Sequence, residues 1–333
     1  MRRRDFLRIL ICSGGVVALD CQLLPGTPGA AENYPANKII WISNTQPGGG
    51  FDIIPRALAP FLSKHLKELS PGCKGGDIVM KNEPAAAGVK AYTMIFKAEP
   101  DGYIIGGLDT AFLTDVVMGK MNFDVTKYTY LAKLQTNSKI VYTSKNGLKS
   151  WKELIESAKR NPIKFGVGQF GRGNHIAGIL LNDAFGLNAK FINTQSSAQN
   201  MSMIIRGDVH VGVAAEDSLS NLLESGEIRA ILTFEEKSDY PGAVSLKELG
   251  HPEIGIYSSV HRMVIGPPGL PKKIQTFLIE GIKRTLADNG VREWAKKSKS
   301  VFTPIYGDES AVVALNTIKY YQGMEGTLKK YLL

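Results

Sequence analysis

Two stretches of this chain carry glycines spaced to bring backbone N–H groups against a ligand. The first is Pro47-Gly48-Gly49-Gly50-Phe51-Asp52. Consecutive glycines have no Cβ to hold a ligand away, and amides at a helix start lack acceptors of their own, so such a turn suits an anion. Asp52 is expected to cap that helix by accepting from its first-turn amides. The amides of Gly48, Gly49, Gly50 and Phe51 would then be left for the ligand; the alternative is a plain tight turn. The second stretch runs Gly166-Val167-Gly168-Gln169-Phe170-Gly171-Arg172-Gly173-Asn174-His175. It contains a G-x-G-x-x-G match, but a dinucleotide site also needs an acid about 20 positions on, closing the next strand. Here that strand ends at Asn193-Thr194, and the nearest acid, Asp183, falls inside a predicted helix. The match alone is therefore weak; Gly168, Gly171, Gly173, Asn174 and His175 stand on a loop between a strand and a helix, where open α/β sheets bind ligands. The guanidinium of Arg172 would fork onto a further carboxylate, or else stand solvated on the loop.

Other chemistry is thin. No G-x-S-x-G elbow, H-E-x-x-H pair, Walker loop or paired-cysteine motif occurs. The five histidines are scattered and read as structural or surface residues, except His175, which directly follows the second glycine loop. Cys73 has no basic partner nearby in sequence and reads as a free structural thiol, and no Cys/His spacing suggests zinc. No metal and no cofactor is expected. Asp109 and Thr110, and separately Glu216, end predicted strands and are lesser binding candidates.

The elements that must position these loops alternate. Lys38–Asn44 reads as a strand, followed by the first loop and a helix over 51–66. In that helix Ile54, Leu58, Leu62 and Leu66 recur every four residues along one face. Pro55 falls in its first turn and Pro60 deeper, where it should kink the helix. A strand at 77–82, a helix through 92–97 and a strand at 103–109 complete one strand–helix alternation, the signature of a largely parallel sheet flanked by helices. The pattern restarts after Thr143. Helices are expected at 151–160, 174–185, 199–205 and 219–224, alternating with strands at 164–167, 190–193, 209–214 and 229–233. An extended stretch at 256–266 and helices at 271–286, 291–299 and 310–332 finish the chain.

At 333 residues there is room for two cores, and a net charge of +9 is spread without an aromatic-studded basic stripe, which argues against nucleic acid. Residues 1–31 read as an export signal. Arg2, Arg3 and Arg4 precede an apolar run from Ile9 to Leu19, and Gly29, Ala30 and Ala31 offer a cleavage site. Within it, Arg3-Arg4-Asp5-Phe6-Leu7-Arg8 is of twin-arginine type. An uncleaved anchor, or a lipoprotein using Cys21, are the alternatives. The expected location is the periplasm.

Taken in order, several short runs resemble one family. They are Pro47-Gly48-Gly49-Gly50-x-Asp52 with Arg56-Ala57-Leu58-Ala59-Pro60, Asn82-x-Pro84, Ala98-x-Pro100-Asp101-Gly102-Tyr103 and Gly171-x-Gly173-x-His175. Gly207-Asp208-Val209, Leu246-x-Glu248-Leu249-Gly250 and Gly266-Pro267-Pro268-Gly269-x-Pro271 follow. The chain resembles the extracytoplasmic receptors of tripartite tricarboxylate transporters, the Bug-type binding proteins. The resemblance implies a two-lobed type II periplasmic-binding-protein fold, α/β throughout, closing on a small mono-, di- or tricarboxylate held largely by backbone amides and water. It implies delivery to membrane permease subunits by a monomeric receptor that is not an enzyme. It also implies that two loops, Pro47–Asp52 and Gly168–His175, grip the carboxylates, and it puts Thr194, Gln195 and Ser196 at the same cleft, where relatives usually show an aromatic–Lys–Gly run. Lobe 1 is expected over 36–140 and 263–333, and lobe 2 over 141–262, joined by two crossing segments. An exported α/β enzyme and a ligand-sensing signalling subunit are the competing readings.

Overall fold

A computed structural model describes residues 34–48, 50–194 and 197–332. The expected export signal at residues 1–31, Gly49, Gln195 and Ser196 lie outside the described residues. The strands are β1 (Ile39–Ser43), β2 (Ile78–Asn82), β3 (Ile104–Asp109), β4 (Thr129–Asn137), β5 (Lys139–Ser144) and β6 (Ile163–Gly168). They continue with β7 (Ala189–Asn193), β8 (Val211–Ala215), β9 (Ile228–Thr233), β10 (Val244–Ser245), β11 (Val260–Gly266) and β12 (Ile305–Tyr306). Two six-stranded sheets result, ordered β12-β4-β11-β3-β1-β2 and β10-β9-β5-β8-β6-β7. The chain passes from the first to the second at Ser138, and returns between Ser258 and Val260.

Most strands within each sheet point the same way, as the alternation predicts. The interior exceptions are β11, antiparallel to β3 and β4, and β5, antiparallel to β8 and β9. Each is the strand that follows a crossing. A chain arriving from the other sheet enters at the cleft, so it must run against strands whose carboxyl ends already point there. The carboxyl ends of β1, β3, β6 and β8, and the loops after them, therefore border the space between the sheets, where open α/β sheets bind ligands.

The first sheet is held by the predicted helical stripe. The helix Gly50–Leu69 runs through Pro55 and Pro60. Its Ile54, Leu58, Leu62 and Leu66 are all buried against Ile39 and Trp41 of β1 and against Leu278 and Ile282 of the helix Lys272–Ala287. Gly281 makes that helix contact close: a Cβ there would lie 2.4 Å from Leu66 Cδ2. On the opposite face Ile42 packs with Ala91, Tyr92 and Ile95.

Several readings change, and β4, β5, β10 and β12 were none of them expected. The nine-residue β4 (TYLAKLQTN) was not expected, because Lys133 and Gln135 interrupt its apolar run; both are buried. The stretch expected to be extended from Ile256 begins as a helix, Pro252–Ser258, with proline in its first turn, where it costs no hydrogen bond. The expected terminal helix breaks at Met324 into Asp308–Gly323 and Glu325–Leu332. The second piece packs on the helix Gly173–Phe185 beside the other sheet, where Asn182 Nδ2 donates to the Tyr331 hydroxyl (2.7 Å).

Candidate functional site

The first glycine loop is shaped by one carboxylate. Asp52 lies within the first turn of its helix and is buried. It accepts from the Gly48 N–H (2.9 Å), from Arg56 Nη2 (2.6 Å) and Nε (3.1 Å), and from Asn82 Nδ2 (2.8 Å). The Arg56 guanidinium holds its carboxyl down at about 2, helped by the Gly48 and Asn82 bonds. This corrects the expected cap. Asp52 pulls the loop back onto itself, so the Gly48 amide is used internally. The amides of Gly50, Phe51 and Asp52, at the helix start, have no acceptor within the helix. Pro47 and Gly48 are exposed at the loop tip.

The second loop is built the same way with different chemistry. His175 is buried, and its Nδ1 accepts from the Gly171 N–H (3.0 Å). The ring sits between Phe170 (centroids 4.7 Å) and Phe191 (4.9 Å). Burial pushes the imidazole down to about 4, so it is neutral at pH 7. Thr194 Oγ1 accepts from the Gly168 N–H (3.1 Å), and Thr194 is fully buried. Gly171 thus spends its amide within the loop and Gly168 spends its own on Thr194, which supports the loop from behind. The helix Gly173–Phe185 has no side-chain cap, and its first internal bond is from the Ile176 N–H to the Arg172 carbonyl. The amides of Gly173, Asn174 and His175 are left without an intrahelical partner.

A line of contacts joins these two helix starts. The Arg262 guanidinium lies over the Phe51 ring, 5.2 Å from its centroid. Arg262 is the cross-strand partner of Asp109. Two residues beyond Asp109, the Ala111 Cβ lies 3.1 Å from where a Cβ on Gly173 would stand, and Lys139 Nζ lies 3.7 Å from the same point. Arg172 Nη1 reaches across to Asp115 Oδ2 at 3.1 Å, so Arg172 spans the two lobes as an ion pair, neither forked onto a free site nor simply solvated. Asp109 is partly buried, and its carboxylate accepts from the Ala111 N–H (2.8 Å). Burial raises its carboxyl, opposed by that hydrogen bond and by the charges of Lys139, Arg262 and Arg172.

Other expected contacts turn out to be part of the hinge. Thr110 is fully buried. Its hydroxyl donates to the Ser259 carbonyl (3.4 Å) and accepts from the His261 N–H (3.0 Å), fixing the return crossing. Lys139 is buried at the outgoing crossing and donates to the Ser258 carbonyl, tying one crossing to the other; burial lowers its ammonium to about 8. Glu216 accepts from the Tyr240 hydroxyl and belongs to the second lobe's own framework. Sequence reasoning missed Lys139, Arg262, Gln135 and Asp115. A signal was there for two of them: Arg262 interrupts the apolar strand VHRMVIG, and Lys139 stands at the head of the apolar strand KIVYTS. Among the described residues no group of His, Cys, Asp or Glu gathers to hold a metal, and no helix is long and apolar enough to cross a membrane.

Residues 67–317 match the model of the tripartite tricarboxylate transporter family receptor, TctC. The chain belongs to this family. It is 26% identical over 296 residues to Protein BugT of Bordetella pertussis, covering 86% of this chain and 84% of BugT. Solved structures of the same fold include a TctC solute binding protein from Polaromonas (TM-score 0.75, 19% identity, 88% of this chain and 99% of that one). MatC from Rhodopseudomonas palustris with bound malate superposes with a TM-score of 0.68 at 17% identity, over 89% and 100% of the two chains. The R. palustris protein Rpa4515 with adipate gives 0.67 at 20% identity, over 90% and 98%. The two-lobed α/β architecture is thus that of the TctC receptors.

Proposed function

We propose that this TctC-family receptor captures a small carboxylate, mono-, di- or tricarboxylate, between its lobes and delivers it to membrane permease subunits of a tripartite tricarboxylate transporter. The observation that carries the reading is the pair of helix starts, Gly50–Asp52 and Gly173–His175, connected through Phe51, Arg262, Asp109 and Ala111. Each offers amides with no acceptor inside its helix, and each points the positive end of a helix dipole at the same cleft. Malate and adipate in the structurally similar R. palustris proteins support the same ligand class here. No bond in the ligand needs to break. Closure alone buries the anion, and the crossings at Ser138 and Ser259 act as the hinge, with the terminal helix Glu325–Leu332 a further link to the second lobe.

The receptor works outside the cytoplasm, in the periplasm, carried there by the twin-arginine-type signal at its N-terminus, and acts as a monomer. Several charge-assisted hydrogen bonds support an affinity near micromolar, about 8 kcal/mol. Isothermal titration of the mature protein with acetate, butyrate, succinate, malate, adipate and citrate tests the ligand class. Saturable binding of at least one is expected. Binding of sugars or cations with none of these acids would overturn it.

A further inference from the structure

Resting on the carboxylate reading above, we propose that Arg262 is the side-chain anchor for a second carboxylate, which makes the cleft selective for short dicarboxylates.

Arg262 is the third residue of β11, the strand that enters the first sheet straight from the hinge. Its register partners are Asp109 on one side and Gln135 on the other. These place it at the carboxyl ends of β3 and β4, on the floor of the cleft. The first glycine loop covers it, since the Phe51 ring lies against the guanidinium. The second lobe reaches it electrostatically: Asp217, in the turn after β8, and Asp109 are the acids whose fields act on it, while burial disfavours its charge.

Among the described residues the guanidinium makes no hydrogen bond and no ion pair. Its Nε is fully buried and has no partner. Asp109 is near enough to be felt but spends its carboxylate on the Ala111 amide. Asp217 accepts from Asn137 Nδ2 (2.7 Å), and Asp115 is held by Arg172 and Lys120. Gln135 Oε1 and Trp41 Nε1 are also buried without partners, and both belong to strands of this sheet. Trp41 Nε1 and the Phe51 ring lie on the same side of Gly107, 3.9 and 3.7 Å from where its Cβ would stand. Buried polar atoms are normally satisfied, and Arg262, half-buried with its Nε enclosed and unpartnered, is costly to keep without an acceptor. A ligand carboxylate supplies what is missing: two acceptor oxygens in the plane of a fork with five donors. Phe51 lies in both sites, with its amide at the helix start and its ring under Arg262. One carboxylate on the amides and another on Arg262 are therefore within reach of a single short dicarboxylate.

The test compares matched acids on the mature wild-type protein and on R262M, R262Q and R262K, by isothermal titration with succinate against butyrate and adipate against hexanoate. Wild type is expected to bind the better dicarboxylate at least tenfold more tightly than its one-carboxylate counterpart. R262M and R262Q should lose at least tenfold for the dicarboxylate and less than threefold for the monocarboxylate, with R262K in between. Because the buried Arg262 Nε has no acceptor in the empty receptor, ligand-free R262M should melt no lower than wild type. Dicarboxylate binding by R262Q at wild-type strength would overturn the role of Arg262 and leave the carboxylate receptor standing. So would a lower melting point of R262M with both acids weakened equally, the mark of a structural arginine. Failure of the wild type to bind any carboxylate would remove both readings together.

Discussion

The two glycine loops solve one problem with opposite chemistry. In each, a glycine amide donates to a side chain four residues ahead: Gly48 to Asp52 (2.9 Å), and Gly171 to His175 (3.0 Å). In each, that side chain lies in the first helical turn, where it could have capped the helix, but bends the loop instead. The first loop uses a charged group held in a polar web by Arg56 and Asn82. The second uses a neutral ring held between Phe170 and Phe191. The difference shows that the fold requires the loop to be pinned and the helix start left open. Whether the pin is ionic or aromatic is secondary, and it decides how each loop fails.

Acid should separate them most strongly. The His175 imidazole sits at about 4 when folded, against 6.5 when free, so on acidification the unfolded chain takes the proton first. The stability this neutral ring contributes is complete above about pH 6.5 and drains away toward pH 4, by up to ~3 kcal/mol. Asp52, held at about 2, keeps its contribution until the pH falls below about 4. His261, also pushed down to about 4 by burial, adds to the same window. His175→Gln should therefore flatten the pH 6.5-to-4 slope of urea stability partly, not wholly; an unchanged slope would remove His175 from the account.

Removing the ionic pin comes next. Asp52→Ala takes away the acceptor for Gly48, Arg56 and Asn82 and should cost about 2 kcal/mol by chemical denaturation. It should also weaken carboxylate binding about tenfold, since the amides of Gly50 and Phe51 lose their fixed direction. A variant that is less stable but binds normally would show that the loop does not touch the ligand. Thr194→Val deletes the hydroxyl that accepts from Gly168 and should cost ~1 kcal/mol, with a smaller loss of binding because it acts from behind the second loop. The smallest effect is expected of Arg172→Ala. Its partner Asp115 is buried, but the arginine side chain is 39% exposed, so stability should fall by about 0.5 kcal/mol. Small-angle scattering of the ligand-free protein should then show a more open average shape, and an unaltered scattering curve would rule out Arg172–Asp115 as a latch between the lobes.

Much of the fold could be read locally. The Ile54–Leu66 stripe, the alternation of strands and helices, and both glycine loops follow from spacing, because helix and strand periods are properties of adjacent residues. The strand β4 was hidden because Lys133 and Gln135 look like surface residues until the neighbouring strands enclose them. The site was legible in its backbone and much less so in its side chains. Asp52, Thr194 and His175 were recognised as important, but their acceptors are turned onto the loops. Thr110 belongs to the hinge. Arg262, whose Nε is buried without a partner, lies more than two hundred residues from the first loop and shares no motif with it.

The sequence alone determined that two α/β units would each present a glycine-rich turn at a helix start, since glycine content and hydrophobic period act over a few residues. Tertiary structure decided which amides remain open and which buried donor has no acceptor. Those depend on the crossings at Ser138 and Ser259, which bring β3, β11 and the helix Gly173–Phe185 together, and on burial, which exists only once both sheets have formed.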